Sequence, residues 1–303
     1  MYKLNIYQLE TEKMKVELTD LGASMVQIYL KKDGKLVPVM SRPRTDDDFL
    51  INTSYGRTIG RTAGFLPNTE ETRKYVKFEG DSIKHGGPKG ILFQIFETNK
   101  ISDTKLEFTY KSLDLINDYY GNMDIKVTYE IVNGATLKVT HEASTDKETL
   151  CNLTVHPYFN LSGEKTIENH KLYIHSTKTA IRADGSNVFN KIIDVKGTFK
   201  DFTTPRNIVV DDQNHLDDIY YSESENVDLL HLSANDITLK VRSNYETMVV
   251  FTQNAPSKTN LSVADKGAKF SSVAIECQKS QKGLPVLKPG EPYNFYTDYI
   301  FEF

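Results

Sequence analysis

Apolar and polar residues alternate with a period of two along much of this chain. Leu106, Phe108 and Tyr110 are separated by polar residues, and Ile125, Val127, Tyr129 and Ile131 repeat the pattern. Side chains of a strand point alternately to its two faces, so this alternation describes strands with one face on a core. Asn133-Gly134 follows closely and is the strongest short hairpin signal, because both residue types tolerate positive φ. Leu137, Val139, His141 and Ala143 then form the returning face, which makes His141 a core histidine. Further strands are predicted at 16–18, 25–30, 171–175, 237–241, 248–252, 272–277 and 293–303. Few windows of eleven or more residues carry the i, i+3, i+4, i+7 spacing of an amphipathic helix.

Many short strands separated by Gly, Asn and Asp turns point to antiparallel sheets packed face to face, an all-β class. No low-complexity linker or repeat divides the sequence. At 303 residues the chain exceeds the usual domain size, but large β-sandwiches reach this length as one unit, so residues 1–303 read as a single domain.

Composition narrows the partners. The formal net charge is −4 and the charged residues are interspersed, which argues against nucleic acid or an anionic membrane as partner. No apolar run approaches the roughly 18 residues of a membrane helix. The first residues, Met1-Tyr2-Lys3-Leu4-Asn5-Ile6-Tyr7, lack the apolar core of a signal peptide, and a soluble, cytoplasmic protein is expected. The two cysteines, Cys151 and Cys277, read as buried thiols, and no Cys/His spacing matches a zinc site.

Four stretches carry candidate chemistry. Gly56-Arg57-Thr58-Ile59-Gly60-Arg61-Thr62-Ala63-Gly64 combines backbone freedom with two guanidinium forks suited to hydroxyls or carboxylates. No Gly-Lys-Ser/Thr follows it, so it is not a Walker-type phosphate loop. Lys84-His85-Gly86-Gly87-Pro88 holds a histidine on a tight loop. In Asn152-Leu153-Thr154-Val155-His156-Pro157-Tyr158-Phe159-Asn160-Leu161, Pro157 biases His156 towards extended backbone, and histidine exchanges protons near neutral pH. In Val273-Ala274-Ile275-Glu276-Cys277-Gln278 a carboxylate interrupts an apolar strand. Burial there would raise its pKa and make it a better base near neutrality. Each stretch alone also fits a bland structural role, and Leu216-Asp217-Asp218-Ile219-Tyr220 taken alone reads as a solvated loop.

Taken together and in this order, the stretches resemble the aldose 1-epimerase (galactose mutarotase) family over some four-fifths of the chain. Gly56-Arg57-Thr58-Ile59-Gly60-Arg61 is similar to that family's G-R-x-x-N-R, with Gly60 at the asparagine position. His85-Gly86-Gly87 matches H-G-G, and the His156 stretch matches N-L-T-x-H-x-Y-F-N-L. Asp217-Asp218-Ile219-Tyr220 resembles D-H-x-F, and Ile275-Glu276-Cys277-Gln278 with Leu287-Lys288-Pro289-Gly290-Glu291-Pro292-Tyr293 resembles L-E-T-Q and L-x-P-G-E-x-Y.

The resemblance implies a large antiparallel β-sandwich of the galactose mutarotase type, with a sugar site on an open cleft. It implies Glu276 as general base and His156 as general acid in opening and closing a free hexose such as galactose or glucose. Arg61 and His85 would bind the sugar near the reacting end. Asp217, or Asp218 beside it, would grip distal hydroxyls. One acid and one base suffice for this reaction, so no cofactor or metal is called for, and a monomer or homodimer is expected. The competing readings are a hexose 6-phosphate 1-epimerase, using Arg57, Arg61, Lys84 and Lys89, a non-catalytic carbohydrate-binding protein, and a glycoside hydrolase. The last would need two flanking carboxylates.

Overall fold

The computed structural model describes residues 3–182, 189, 191–223, 227–280 and 282–303. Among these, the longest strands join into a nine-stranded antiparallel sheet. Its order from edge to edge is Arg206–Asn207, Lys171–Ile174, Leu230–Ala234, Ile237–Ser243, Tyr293–Glu302, Thr136–Thr145, Met123–Val132, Lys105–Ser112 and Glu97–Ser102. The hairpin between Met123–Val132 and Thr136–Thr145 turns at Asn133 and Gly134, with φ of 52° and 79°, as the Asn-Gly signal requires. A second antiparallel sheet, six-stranded among the described residues, runs Tyr158–Phe159, Val273–Gln278, Thr247–Phe251, Asp217–Tyr221, Lys178–Ile181, Lys191–Asp194. The N-terminal meander Ile6–Glu10, Met14–Thr19, Ser24–Lys32 and Lys35–Pro38 completes the large layers.

These layers share one apolar cluster containing residues from Leu9 to Phe301. Phe159 of the six-stranded sheet meets Tyr299 of the nine-stranded sheet at 5.3 Å between ring centroids, and Tyr299 Oη donates to Ile275 O. Tyr7 of the meander packs edge-on against Phe108 at 6.0 Å. The architecture is the all-β sandwich that the alternation predicts. Edge strands such as Glu97–Ser102 escape that reading because most of their residues are exposed and carry no apolar face.

One strand sets up the site. In Val273–Gln278, Val273, Ile275 and Cys277 join the central core, so Ala274, Glu276 and Gln278 point to the opposite face. That strand is interior to its sheet, flanked by Thr247–Phe251 and Tyr158–Phe159, so Glu276 is not an edge residue turned to water. Cys151 and Cys277 are buried free thiols, and His141 is buried with Tyr245 Oη at 3.3 Å from its Nδ1. Among the described residues, no helix is long and apolar enough to cross a membrane.

Candidate active site

The outer face of the six-stranded sheet forms the floor of a cleft of about 260 Å³. Strand register lays out the floor. Tyr158 and Phe251 both pair with Ala274, and Asp217 pairs with Phe251, so these residues form one row. Glu276, paired with Val249, lies in the next row, and Gln278 one row further. Ala274 itself is buried beneath this row, packed among Tyr55, Tyr158, Leu261 and Phe251. Segments around Asn52–Tyr55, Gly64–Phe65, Lys84–His85 and 253–258 wall the cleft. Its size lies near the lower end of small-ligand clefts, roughly 300–1,000 Å³, and suits a single sugar ring.

At its centre His156 Nε2 lies 3.1 Å from Glu276 Oε1, with side-chain exposures of 6% and 5%. The backbone of His156 is clamped: its N–H donates to Arg57 O and its carbonyl accepts from Gly56 N–H. Beneath it, Tyr245 Oη donates to Leu153 O, and Leu153 N–H donates to Tyr293 Oη. The imidazole stacks on Tyr158 at 4.8 Å, and Tyr158 stacks in turn on Tyr55 at 4.0 Å. This three-ring stack fixes the plane in which His156 can exchange a proton.

Burial governs both protonation states. It pushes the Glu276 carboxyl up to about 8, helped by the negative charge of Asp217 and opposed by Lys84 and Arg182. It also holds His156 well below the usual histidine range, with His85 and Lys84 adding to the shift. Each group alone prefers to be uncharged, so the contacting pair holds one proton between them. That proton sits on the carboxyl facing bare imidazole, or on the imidazole facing carboxylate.

His85 stands edge-on to His156, with ring centroids 5.7 Å apart. Its Nδ1 accepts from Gly64 N–H at 3.3 Å, which leaves the neutral ring's proton on Nε2. Burial pushes its pKa down to about 3, so at neutral pH it is an uncharged donor. His85 has φ of 51°, and the next residue, Gly86, has φ of 81°. A Cβ on Gly86 would run into the carbonyl of Gly60, so this turn requires glycine.

The expected distal groups separate cleanly. Asp217 lines the cleft, whereas Asp218, on the other face of its strand, is buried against Lys200 at 2.5 Å. Arg61 does not line the cleft. It is fully buried, and its guanidinium donates to Ser112 Oγ and O and to Tyr120 O. Arg57 is also turned away, donating to Leu92 O and Phe49 O. Gly60 faces the interior, where a Cβ would meet the Leu153 and Ile91 side chains. The Gly-Arg spacing recurs four residues on, at Gly60-Arg61. Laid from there, the G-R-x-x-N-R pattern ends on Gly64 and Phe65, and both of these line the cleft.

A guanidinium does reach the cleft, from Arg182, which no motif singled out. Its Nη1 lies 2.7 Å from Asp217 Oδ2 and donates to Asp217 O at 3.1 Å. The group packs over Phe189 at 4.1 Å and lies 6.0 Å from the Phe65 ring. Phe65 thus occupies the position where the shifted pattern has arginine, and Arg182 brings a guanidinium to the same neighbourhood. Among the described residues, no group of three or more His, Cys, Asp or Glu could hold a metal ion.

Known proteins resemble this chain over nearly its whole length. The family pattern described as Aldose 1-epimerase matches residues 5–299. Aldose 1-epimerase of Escherichia coli K12 is 25% identical over 318 residues, covering 95% of this chain and 92% of that protein. Human galactose mutarotase is 25% identical over 328 residues, covering 97% and 93%. The crystal structure of the GalM/aldose epimerase homologue from C. elegans superimposes with a TM-score of 0.86 at 21% identity, covering 99% of each chain. Galactose 1-epimerase from Lactobacillus acidophilus gives 0.80 at 23% identity, covering 100% of this chain and 99% of that one. The chain belongs to the aldose 1-epimerase family.

Proposed function

We propose that this protein interconverts the α and β anomers of a free hexose, with Glu276 as general base and His156 as general acid. The observation that carries the reading is their 3.1 Å contact in a buried cleft. In a cyclic hemiacetal the anomeric hydroxyl and the ring oxygen are bonded to the same carbon, so an acid and a base serving both must be close neighbours. Carboxylate Glu276 takes the proton of the anomeric hydroxyl while imidazolium His156 protonates the ring oxygen. The C1–O5 bond breaks and the open aldehyde turns about C1–C2. The ring oxygen then attacks the other face of C1, returning its proton to His156, while Glu276 reprotonates the carbonyl oxygen. The proton count of the pair is the same before and after. Acid–base steps of this kind typically contribute about 10²–10⁴-fold each.

Supporting groups follow from their positions. His85 offers an Nε2–H donor to a sugar oxygen. Asp217, oriented by Arg182, accepts distal hydroxyls, and Arg182 brings to that distal end of the cleft a guanidinium, which the buried Arg61 does not supply. The aromatic ring of Phe251 supplies apolar surface for the ring's C–H face. The shared apolar cluster from Leu9 to Phe301 supports reading residues 1–303 as one domain. Of the four cations a phosphosugar site would use, Arg57 and Arg61 bond to buried oxygens, Lys89 pairs with Asp118 at 3.0 Å, and Lys84 alone lines the cleft. Arg182, paired with Asp217, and Lys258 also line the cleft, but the cluster that the sequence offered for a phosphate is not assembled there.

Polarimetry of freshly dissolved α-D-galactose, α-D-glucose and glucose 6-phosphate tests the reading. Relaxation of the free sugars far faster than in buffer is expected. Acceleration confined to the phosphate would move the protein to the phosphosugar reading, and no acceleration of any would leave it a binder.

A further inference from the structure

The cleft contains a polar side chain with no hydrogen-bonding partner among the described residues. Gln278 is 0% exposed and lines the cleft, yet neither its amide nitrogen nor its amide oxygen meets a hydrogen-bonding group of the described residues. Leaving both ends of a buried amide unmatched is costly, and most such groups in folded proteins are satisfied. Gln278 is not needed to hold its strand. Its backbone carbonyl accepts from Thr247 Oγ1 at 2.9 Å, and Asn152 Oδ1 accepts the next backbone N–H, of Lys279, at 2.9 Å. The side chain is therefore free of structural duty and aimed where a ligand would lie.

We propose that Gln278 is a substrate-binding residue whose amide hydrogen-bonds a sugar hydroxyl on the side of Glu276 opposite Asp217; this rests on the aldose reading above. Residues 276 and 278 project from the same face of one strand, about 7 Å apart along it. That spacing is comparable to the breadth of a pyranose ring, so a sugar with its anomeric hydroxyl at Glu276 extends within reach of the amide. A primary amide donates and accepts at once, as does a hydroxyl, and a vicinal hydroxyl pair can satisfy its N–H and C=O together. Being neutral, the amide discriminates by hydroxyl geometry and gives no advantage to an anionic group. Glu276 is thus bracketed by Gln278 on one side and the Asp217–Arg182 pair on the other, and the two ends read different hydroxyls.

Gln278→Met keeps the volume and removes both hydrogen-bonding atoms. The expected result is a KM for galactose raised about tenfold or more, a smaller change in kcat, and a Tm equal to or above that of the wild type. An unchanged KM overturns the proposal. A Tm lowered by several degrees overturns it too, since the amide would then be structural. If the wild type accelerates neither aldose, the aldose reading fails separately, and Gln278 is read from the rise in Tm that saturating galactose gives. A rise lost in Gln278→Met upholds the amide contact without turnover. The same rise in both proteins, or none in either, overturns it.

Discussion

His156 Nε2 and Glu276 Oε1 lie 3.1 Å apart in a cleft that shields both side chains almost fully from water. Neither group needs to be charged alone, because one proton serves the pair. Replacing either member therefore removes the unit. Glu276→Gln and His156→Asn are each expected to lower kcat by about 10²–10⁴-fold, and the double variant by little more than either single one. Initial rates of the three variants check this, and multiplicative losses would show independent roles.

The pair's shared proton also sets a pH limit. Loss of that proton, governed by the Glu276 carboxyl with its pKa raised to about 8, leaves carboxylate facing neutral imidazole with no acid. Activity should therefore fall above about pH 8 and stay level below it, until the pair takes a second proton. His156, held well below the usual histidine range, delays that step. A kcat/KM profile from pH 5 to 10 measures both limbs.

Stability should respond to the same burial. Glu276 has a folded pKa above its unfolded value, so its contribution is full below about 4.5 and is lost as pH rises towards 8. His85, His141 and His170, pushed down to about 3, 3 and 4, have folded values below the unfolded one. Their contribution is present above the unfolded value of about 6.5 and is lost as pH falls. Tm should thus decline below about pH 6, and Glu276→Gln should lessen the wild-type decline that follows between about pH 6.5 and 8. Calorimetry across that range is the check.

Arg182 holds both Oδ2 and the backbone oxygen of Asp217. Arg182→Gln should raise KM by about tenfold with a smaller effect on kcat, because the reacting atoms lie elsewhere. Adding Phe65→Arg to that variant should recover part of the affinity by returning a guanidinium from the other wall. No recovery would count against the shared neighbourhood of the two positions.

Gly86→Ala places a Cβ against the Gly60 carbonyl at a φ of 81°. A stability loss of about 1–3 kcal/mol is expected, together with reduced kcat/KM as His85 is displaced. Denaturant unfolding and polarimetry on one preparation separate the two effects.

Much of this was legible in the chain. Alternation located the long strands because each buries one face, and it placed His141 on the core side. Glu276 stood out as a carboxylate within an apolar strand. Asp217 and Asp218 taken alone read as a solvated loop, whereas they open the strand Asp217–Tyr221, and the packing of Lys200 against Asp218 shows which of its faces is the cleft. The Gly-Arg stretch defeated the reading, because its turns follow no fixed period and both arginines point inward. Arg182 lies in no motif, and its role depends on Asp217 and Phe65, residues distant in sequence. Gln278 was read as part of a motif, while its lack of a partner is visible only in three dimensions.

The most direct test of the acid–base pair is the rate at which optical rotation of fresh α-D-galactose relaxes with wild type, Glu276→Gln and His156→Asn at equal concentration. The account predicts rapid relaxation with the wild type and near-buffer relaxation with both folded variants. A folded Glu276→Gln or His156→Asn protein that relaxes the sugar at the wild-type rate would contradict it.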